Sequence, residues 1–395
     1  GNMRPYPDAY LQADRYFSGA DSLMRLQGPG KEWPAEQWRE ALRLFQQVLE
    51  QAEKNGDDSI AFYCHYKTAV ILFHLDSFST AGNHFLEALD LKEKPGIIPD
   101  SAWFRMLLSD GDGFYTRGMP DATGLFYEKA EELAKGIKTD PGKLLELYQR
   151  LSYLYTGAGK YGKATVVLQK ILDLFSTADE RVAVFKTRLA EGLMKLERYQ
   201  EARKLYEELL VLLPGDPQIL QQLGTIFLNN DQAVEAIRYF REAMKRTIPS
   251  CTLLTKTGKA WLDAGMPDSA GHFFDLAYSE AGHLYAWQQP EARGLIYLYQ
   301  GEKARKEKKT KEAIACYQKA LGQFSGNDRD TGFRENPKNF SGPFPYVHIF
   351  NTLAVKADAL QQLYYLEKEI TTLEAALDSW RAAFELAEYV ERTYD

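Results

Sequence analysis

The chain has 395 residues, 45% hydrophobic and 26% charged, with a formal net charge of −7. No apolar run approaches the roughly 18–20 residues that cross a bilayer, and the acidic balance argues against nucleic acid, whose phosphates demand a basic stripe. The three cysteines, Cys64, Cys251 and Cys316, cannot all pair with one another and lack zinc-ligand spacing, so they read as small apolar fillers.

The opening, Gly1-Asn2-Met3, lacks the basic-then-apolar pattern of a secretion signal. It reads as a trimmed start from which an export signal or lipid-anchor cysteine has been removed. The compartment stays open: a soluble chain, exported or periplasmic if such a signal was removed, with cytoplasmic as the alternative.

From Asp8 to about Leu26 the pattern is helical, with Leu11, Phe17 and Leu23 among polar residues. A turn at Gly28–Pro34 leads to a second helix carrying Trp38, Ala41, Phe45 and Val48. Residues 1–60 thus read as one divergent helical pair. A second pair starts near Phe62 and ends at Pro95-Gly96, and a third starts near Phe104. The third contains GMPDATGLFYEKA from Gly118, which nearly repeats GMPDSAGHFFDLA from Gly265. Pro120 and Pro267 open second helices there, where a missing N–H costs nothing. A fourth pair starts near Leu145.

The next stretch repeats itself three times, from Ala183, Pro217 and Cys251, with starts 217−183 = 34 and 251−217 = 34 residues apart. Numbering each unit from 1, position 8 holds Ala190, Gly224 and Gly258, and position 11 holds Leu193, Phe227 and Trp261. Position 20 is Ala202, Ala236 and Ala270; position 24 is Tyr206, Phe240 and Phe274. Small residues at 8 and 20 let two helices approach, and bulky ones at 11 and 24 fill the space between them. A further unit from Gly294 has Gly301, Ala313 and Tyr317 at positions 8, 20 and 24.

The rhythm breaks over 326–348, a proline-containing stretch without helical period and long for a compact array. A last pair, 349–395, places Ala376, Trp380 and Ala383 at positions 20, 24 and 27 if its unit starts near Ala357.

A period of about 34 residues with these columns resembles the tetratricopeptide-repeat (TPR) family. The resemblance covers almost the whole chain and implies an all-α fold. It is a right-handed alpha-alpha superhelix, a TPR solenoid of about eight to nine helical hairpins, with the regular array over 61–325. It also implies a non-catalytic scaffold that binds a peptide or protein segment in a concave groove lined by the first helices. The alternative is the sensory or regulatory N-terminal region of a longer signalling or peptidase protein, prompted by the ending SWRAAFELAEYVERTYD.

In that family, positions 2, 5, 9 and 12 face the groove. Carried over, they single out Tyr63, Tyr66, Phe73, Tyr115 and Tyr153 toward the N-terminal end. Gln221 and Thr225 follow in the middle, with Asn229 beside them, and the last unit offers Gln361, Tyr365 and Lys368. Rings cover apolar surface and amides pair with backbone, which suits an extended peptide. The competing reading puts these rings in the core between neighbouring first helices. The Lys and Asn pair at positions 5 and 9, with which some family members clamp chaperone tails, occurs in no unit.

Catalytic patterns are missing from the sequence. Asp110 and Asp112 invite a paired-carboxylate or metal reading, but the alignment puts Asp110 at position 7 of a helix. Residues 327–332 have a faint calcium-loop look without the distal Glu. His65, His74 and His84 have no metal-ligand spacing. Catalytic residues, cofactor and metal are therefore all expected to be none.

Overall fold

Each period of the sequence becomes two helices joined by a turn that needs one left-handed residue. The computed structural model describes residues 7–27, 34–136, 139–176, 179–327, 332–338, 340 and 345–394. Among these residues there are eighteen α-helices and no strand. They are α1 (Pro7–Gln27), α2 (Ala35–Lys54), α3 (Asp58–His74), α4 (Phe78–Lys92), α5 (Asp100–Thr116) and α6 (Pro120–Gly136). Next come α7 (Pro141–Gly157), α8 (Tyr161–Leu174), α9 (Arg181–Lys195), α10 (Tyr199–Leu212), α11 (Pro217–Asn229) and α12 (Ala233–Met244). The last six are α13 (Cys251–Asp263), α14 (Pro267–Ala281), α15 (Gln289–Lys306), α16 (Thr310–Phe324), α17 (Tyr346–Glu367) and α18 (Ile370–Tyr394).

The chain divides into two compact units, Gly1–Ala202 and Arg203–Asp395, with the division inside α10. In the first, α1·α2, α3·α4, α5·α6 and α7·α8 pack as hairpins, and α2·α3, α6·α7 and α8·α9 stack them. In the second, α11·α12, α13·α14, α15·α16 and α17·α18 are the hairpins, stacked through α12·α13, α14·α15 and α16·α17.

The turn inside a hairpin falls at position 15. Asp76, Gly118, Gly159, Glu197, Asp231, Gly265 and Lys308 all take φ between 57° and 79° there. Starts of several first helices are capped by side chains. Asp57 accepts from the Ile60 amide, Asp216 from those of Gln218 and Ile219, and Ser250 from that of Leu253.

The core lies where position 8 meets position 24. A Cβ on Gly111 would stand 2.5 Å from Tyr127, one on Gly224 2.6 Å from Phe240, and one on Gly258 2.6 Å from Phe274. Gly301 meets Tyr317 in the same way. Position 20 alanines Ala41, Ala81, Ala164, Ala236, Ala270 and Ala313 are buried. Thr123 replaces alanine without leaving a stranded hydroxyl, because its Oγ1 donates to the Met119 carbonyl at 2.8 Å.

The last hairpin is phased differently from the sequence expectation. Its left-handed residue is Lys368, with φ 59°. Position 15 at 368 sets the unit start at 368−14 = 354, three residues before Ala357. Trp380 therefore does not fill position 24. It is 45% exposed, while α18 buries a face of small residues, Ala375, Ala376, Ser379, Ala382 and Ala383. The likeness of an Ala/Trp/Ala triplet to the 20/24/27 columns misleads because the two alanines are buried as those columns require while the large residue between them faces outward.

Candidate partner-binding face

First helices stack beside one another within each unit, and side chains bridge them in a recurring register. Position 6 of one first helix reaches position 9 of the one before. Arg150 on α7 donates through Nε and Nη2 to both oxygens of Asp112 on α5, at 2.8 and 2.9 Å. Arg188 on α9 lies over the Tyr153 ring on α7 at 4.2 Å and donates to Ser152 Oγ at 3.0 Å. In the second unit, Lys256 on α13 donates to Thr225 Oγ1 on α11 at 3.0 Å. Tyr299 on α15 lies 5.7 Å from the Lys259 ammonium on α13, which also pairs with Glu302 on α15 at 3.2 Å. A different register joins the next pair: Arg305 on α15, at position 12, donates to Asp358 on α17 at 2.7 Å.

Bidentate and charge-assisted contacts of this kind fix one geometry of neighbouring helices. The Asp112 hydrogen bonds hold the Arg150 guanidinium above its usual range. Asp112 Oδ1 also accepts from the Tyr127 hydroxyl at 2.5 Å. Asp110 Oδ2 accepts from Tyr66 at 2.5 Å, and burial followed by that carboxylate raises the Tyr66 phenol well above normal. Both carboxylates are engaged in helix-to-helix bonding. Among the described residues, no group of three or more His, Cys, Asp and Glu side chains is placed to hold a metal ion. His65 and His84 face each other across α3 and α4, Nδ1 to Nδ1 at 2.9 Å, while His74 stacks on Trp38 at 5.0 Å. The 327–332 stretch falls largely outside the described residues.

The expected groove residues separate by what packs on them: Phe73 and Tyr115 share position 12 but not their burial. Tyr66 and Phe73 are buried, 1% and 5% exposed. Tyr66 packs on Trp103 at 5.0 Å, and Phe73 on Phe114 and Phe126 at 5.8 and 5.9 Å. Tyr66 is covered because position 5 faces the neighbouring first helix, where Leu108, Thr255 and Leu298 are buried too, while Phe73, at position 12, is covered by the Phe114 and Phe126 rings. These two rings build the wall and offer no free face. Tyr63 is half-buried, edge-on to Phe62 at 5.2 Å. Tyr115 and Tyr153, at positions 12 and 9, are 51% and 57% exposed. In the second unit Gln221 is half-buried, Thr225 is buried against Lys256, and Asn229 is exposed. With the last unit re-phased, Lys368 is a turn residue and Asp358 takes position 5. Arg150, Arg188, Lys256 and Lys259 escaped sequence reading, although a basic residue at position 6 or 9 of successive units was a visible signal.

Near the first helix of the last hairpin, a cavity of about 870 Å³ is lined by Gln318, Ser325, Arg334, Asn336, Arg381 and Glu385 among others. Beneath it Lys356 is fully buried at position 3, which is apolar in Leu147, Phe185, Ile219, Leu253 and Ile296. Its Nζ donates to Gln318 Oε1 at 2.7 Å, Asn336 Oδ1 at 2.8 Å and the Glu335 carbonyl at 3.1 Å. Among the described residues no carboxylate joins these three acceptors, and burial pulls its ammonium down to about 7. Folding thus disfavours the charged form, which is fully populated in both states only well below pH 7. Stability should rise as pH climbs from about 7 toward the ordinary lysine value, by about 1 kcal/mol per pH unit. Urea midpoints between pH 7 and 9 check this. Lys356→Met should flatten the slope, and an unchanged slope would assign the titration elsewhere.

Residues 183–226 match the model of the tetratricopeptide repeat family. The chain carries tetratricopeptide repeats. Solved structures of the same fold extend the likeness beyond that stretch. A tetratricopeptide repeat protein from Parabacteroides merdae ATCC 43184 is 15% identical with a TM-score of 0.52, over 72% of this chain and 93% of that one. The apo form of the quorum sensor NprR from B. thuringiensis is 15% identical with a TM-score of 0.50, over 97% and 99%. Both share the fold of the repeats. No curated protein matches the sequence. Among the described residues, no helix of this repeat protein is long and apolar enough to cross a membrane.

Proposed function

We propose that this protein is a non-catalytic scaffold that holds a segment of another protein against the first-helix face of residues 1–202. One observation carries the reading: two tyrosines, Tyr115 and Tyr153, stand exposed on successive first helices, above a bridged and buried wall. Arg188 covers one side of Tyr153 and leaves the other to solvent. A rigid ring with a phenol at its tip supplies contact area at low entropic cost, and tyrosine is enriched at interfaces for that reason. Thr116, Thr156 and Glu191 are exposed alongside and supply polar groups to a bound backbone. In residues 203–395, Gln221 and Asn229, at positions 5 and 13 of their unit, supply amides on α11.

The face is already ordered by Asp112–Arg150 and Arg188–Tyr153, so binding has little helix ordering to offset. Wild type and a Tyr115→Ala/Tyr153→Ala double variant should differ by tenfold or more in affinity for the native partner, at about 1–2 kcal/mol per hot-spot ring. Their thermal midpoints should match, since both rings are half-exposed. Equal partner recovery from native cells by the two proteins would remove this face from the account.

A further inference from the structure

We infer that α18 is a self-pairing helix through which two copies of this chain form an antiparallel, two-fold dimer. The large residue at position 24 is fully enclosed in earlier repeats: Phe45, Phe85, Tyr127, Leu168, Tyr206, Phe240, Phe274 and Tyr317 are all at most 2% exposed. On α18 Leu386 points inward and is 1% exposed, but four other large residues point the other way. Ile370 is 68% exposed, Leu377 56%, Trp380 45% and Phe384 64%. Leu373 is half-buried and Ala387 exposed.

Residues 370, 373, 377, 380, 384 and 387 are spaced 3, 4, 3, 4 and 3 apart. That is the narrow seam by which one helix lies along another, distinct from the broader stripe of a helix packed on a core. The inward face of the same helix is occupied by Ala375, Ala376, Ser379, Ala382 and Ala383 against its own unit. At 25 residues, α18 is also the longest helix described. The exposed parts of the seam side chains come to roughly 400 Å² of apolar surface per copy, more than a scatter of single surface residues.

The seam is complementary to itself in the antiparallel sense. Setting Leu377 opposite Trp380 of a second copy also sets Leu373 opposite Phe384 and Ile370 opposite Ala387. The two-fold axis repeats each layer. The same register brings Glu374, which follows Leu373, beside Arg381, which follows Trp380, of the other copy. Two reciprocal ion pairs then flank the seam. Arg381 is 70% exposed and pairs with Asp378 of its own helix at 3.2 Å. Two copies would bury roughly 800 Å² of seam, below a standard interface, so association in the range of about 10–100 µM is expected.

Sedimentation equilibrium of the full chain, from about 1 to about 300 µM, reads this out. Wild type should pass from monomer to dimer across that range. Trp380→Asp should weaken the dimer by about tenfold or more, with an unchanged circular dichroism spectrum. Arg381→Glu alone should weaken it about fivefold by setting like charges together, and Glu374→Arg/Arg381→Glu should restore it. A wild-type chain that stays monomeric throughout overturns the proposal. So does a dimer indifferent to Trp380→Asp, or a charge exchange that fails to restore association.

Discussion

Gly224→Val should cost about 3 kcal/mol of stability, among the largest losses any single change in the second unit would bring. A Cβ at 224 would lie 2.6 Å from both Cδ1 and Cε1 of Phe240, a ring that is fully buried and has no free volume to enter. Overpacking a filled core typically costs 1–3 kcal/mol, and valine adds a second methyl and a branched Cβ within a helix. Gly224→Ala is a milder form of the same test. The helix gains about 1 kcal/mol by losing a glycine, which offsets part of the clash. Its net loss should be about 1 kcal/mol. Adding Phe240→Leu should recover part of the Gly224→Val loss, because the two residues share one contact and their effects do not add. Urea unfolding of five proteins, wild type, the two Gly224 variants, Phe240→Leu and the double variant, measures these quantities. Additive losses would show that positions 8 and 24 do not meet as described.

In the first unit Asp112→Ala should cost about 2–3 kcal/mol. The carboxylate accepts from Tyr127, which is 1% exposed, and from both donors of Arg150. Removing it strands a buried phenol hydroxyl, at about 1–3 kcal/mol, and releases a guanidinium that is 30% exposed and so partly rehydrates. Asp112→Asn keeps an acceptor for Tyr127 and loses the charge, and should fall between alanine and wild type. Hydrogen exchange should localise the weakening to α5, α6 and α7. A purely ligand-facing carboxylate would behave otherwise: its removal would leave stability within about 0.5 kcal/mol of wild type.

Much of the fold was legible because it rests on volume. Glycine or alanine at position 8 and an aromatic at 24 are chemically unambiguous, and the 34-residue period repeats the statement. The phase of the last hairpin was not legible, because Ala376, Trp380 and Ala383 imitate the core columns and only the left-handed Lys368 corrects the count. The candidate site was half legible. Tyr115 and Tyr153, picked from their columns, are exposed, while Tyr66 and Phe73 in similar columns are buried. Which ring is covered depends on the neighbouring helices: Tyr66 is roofed by Trp103 and Phe126, residues 37 and 60 positions along the chain. The Arg150–Asp112 and Arg188–Tyr153 bridges escaped notice for the same reason, since each spans two repeats.

Site-directed photo-crosslinking in native cells is the most direct test of a partner-holding face. A photoreactive residue placed at 115 or 153 should capture one and the same partner segment. The same group at Val166, which is 57% exposed on the second helix α8, should not capture it. Capture at 166 equal to that at 115 and 153, or capture at none of them, would contradict the account.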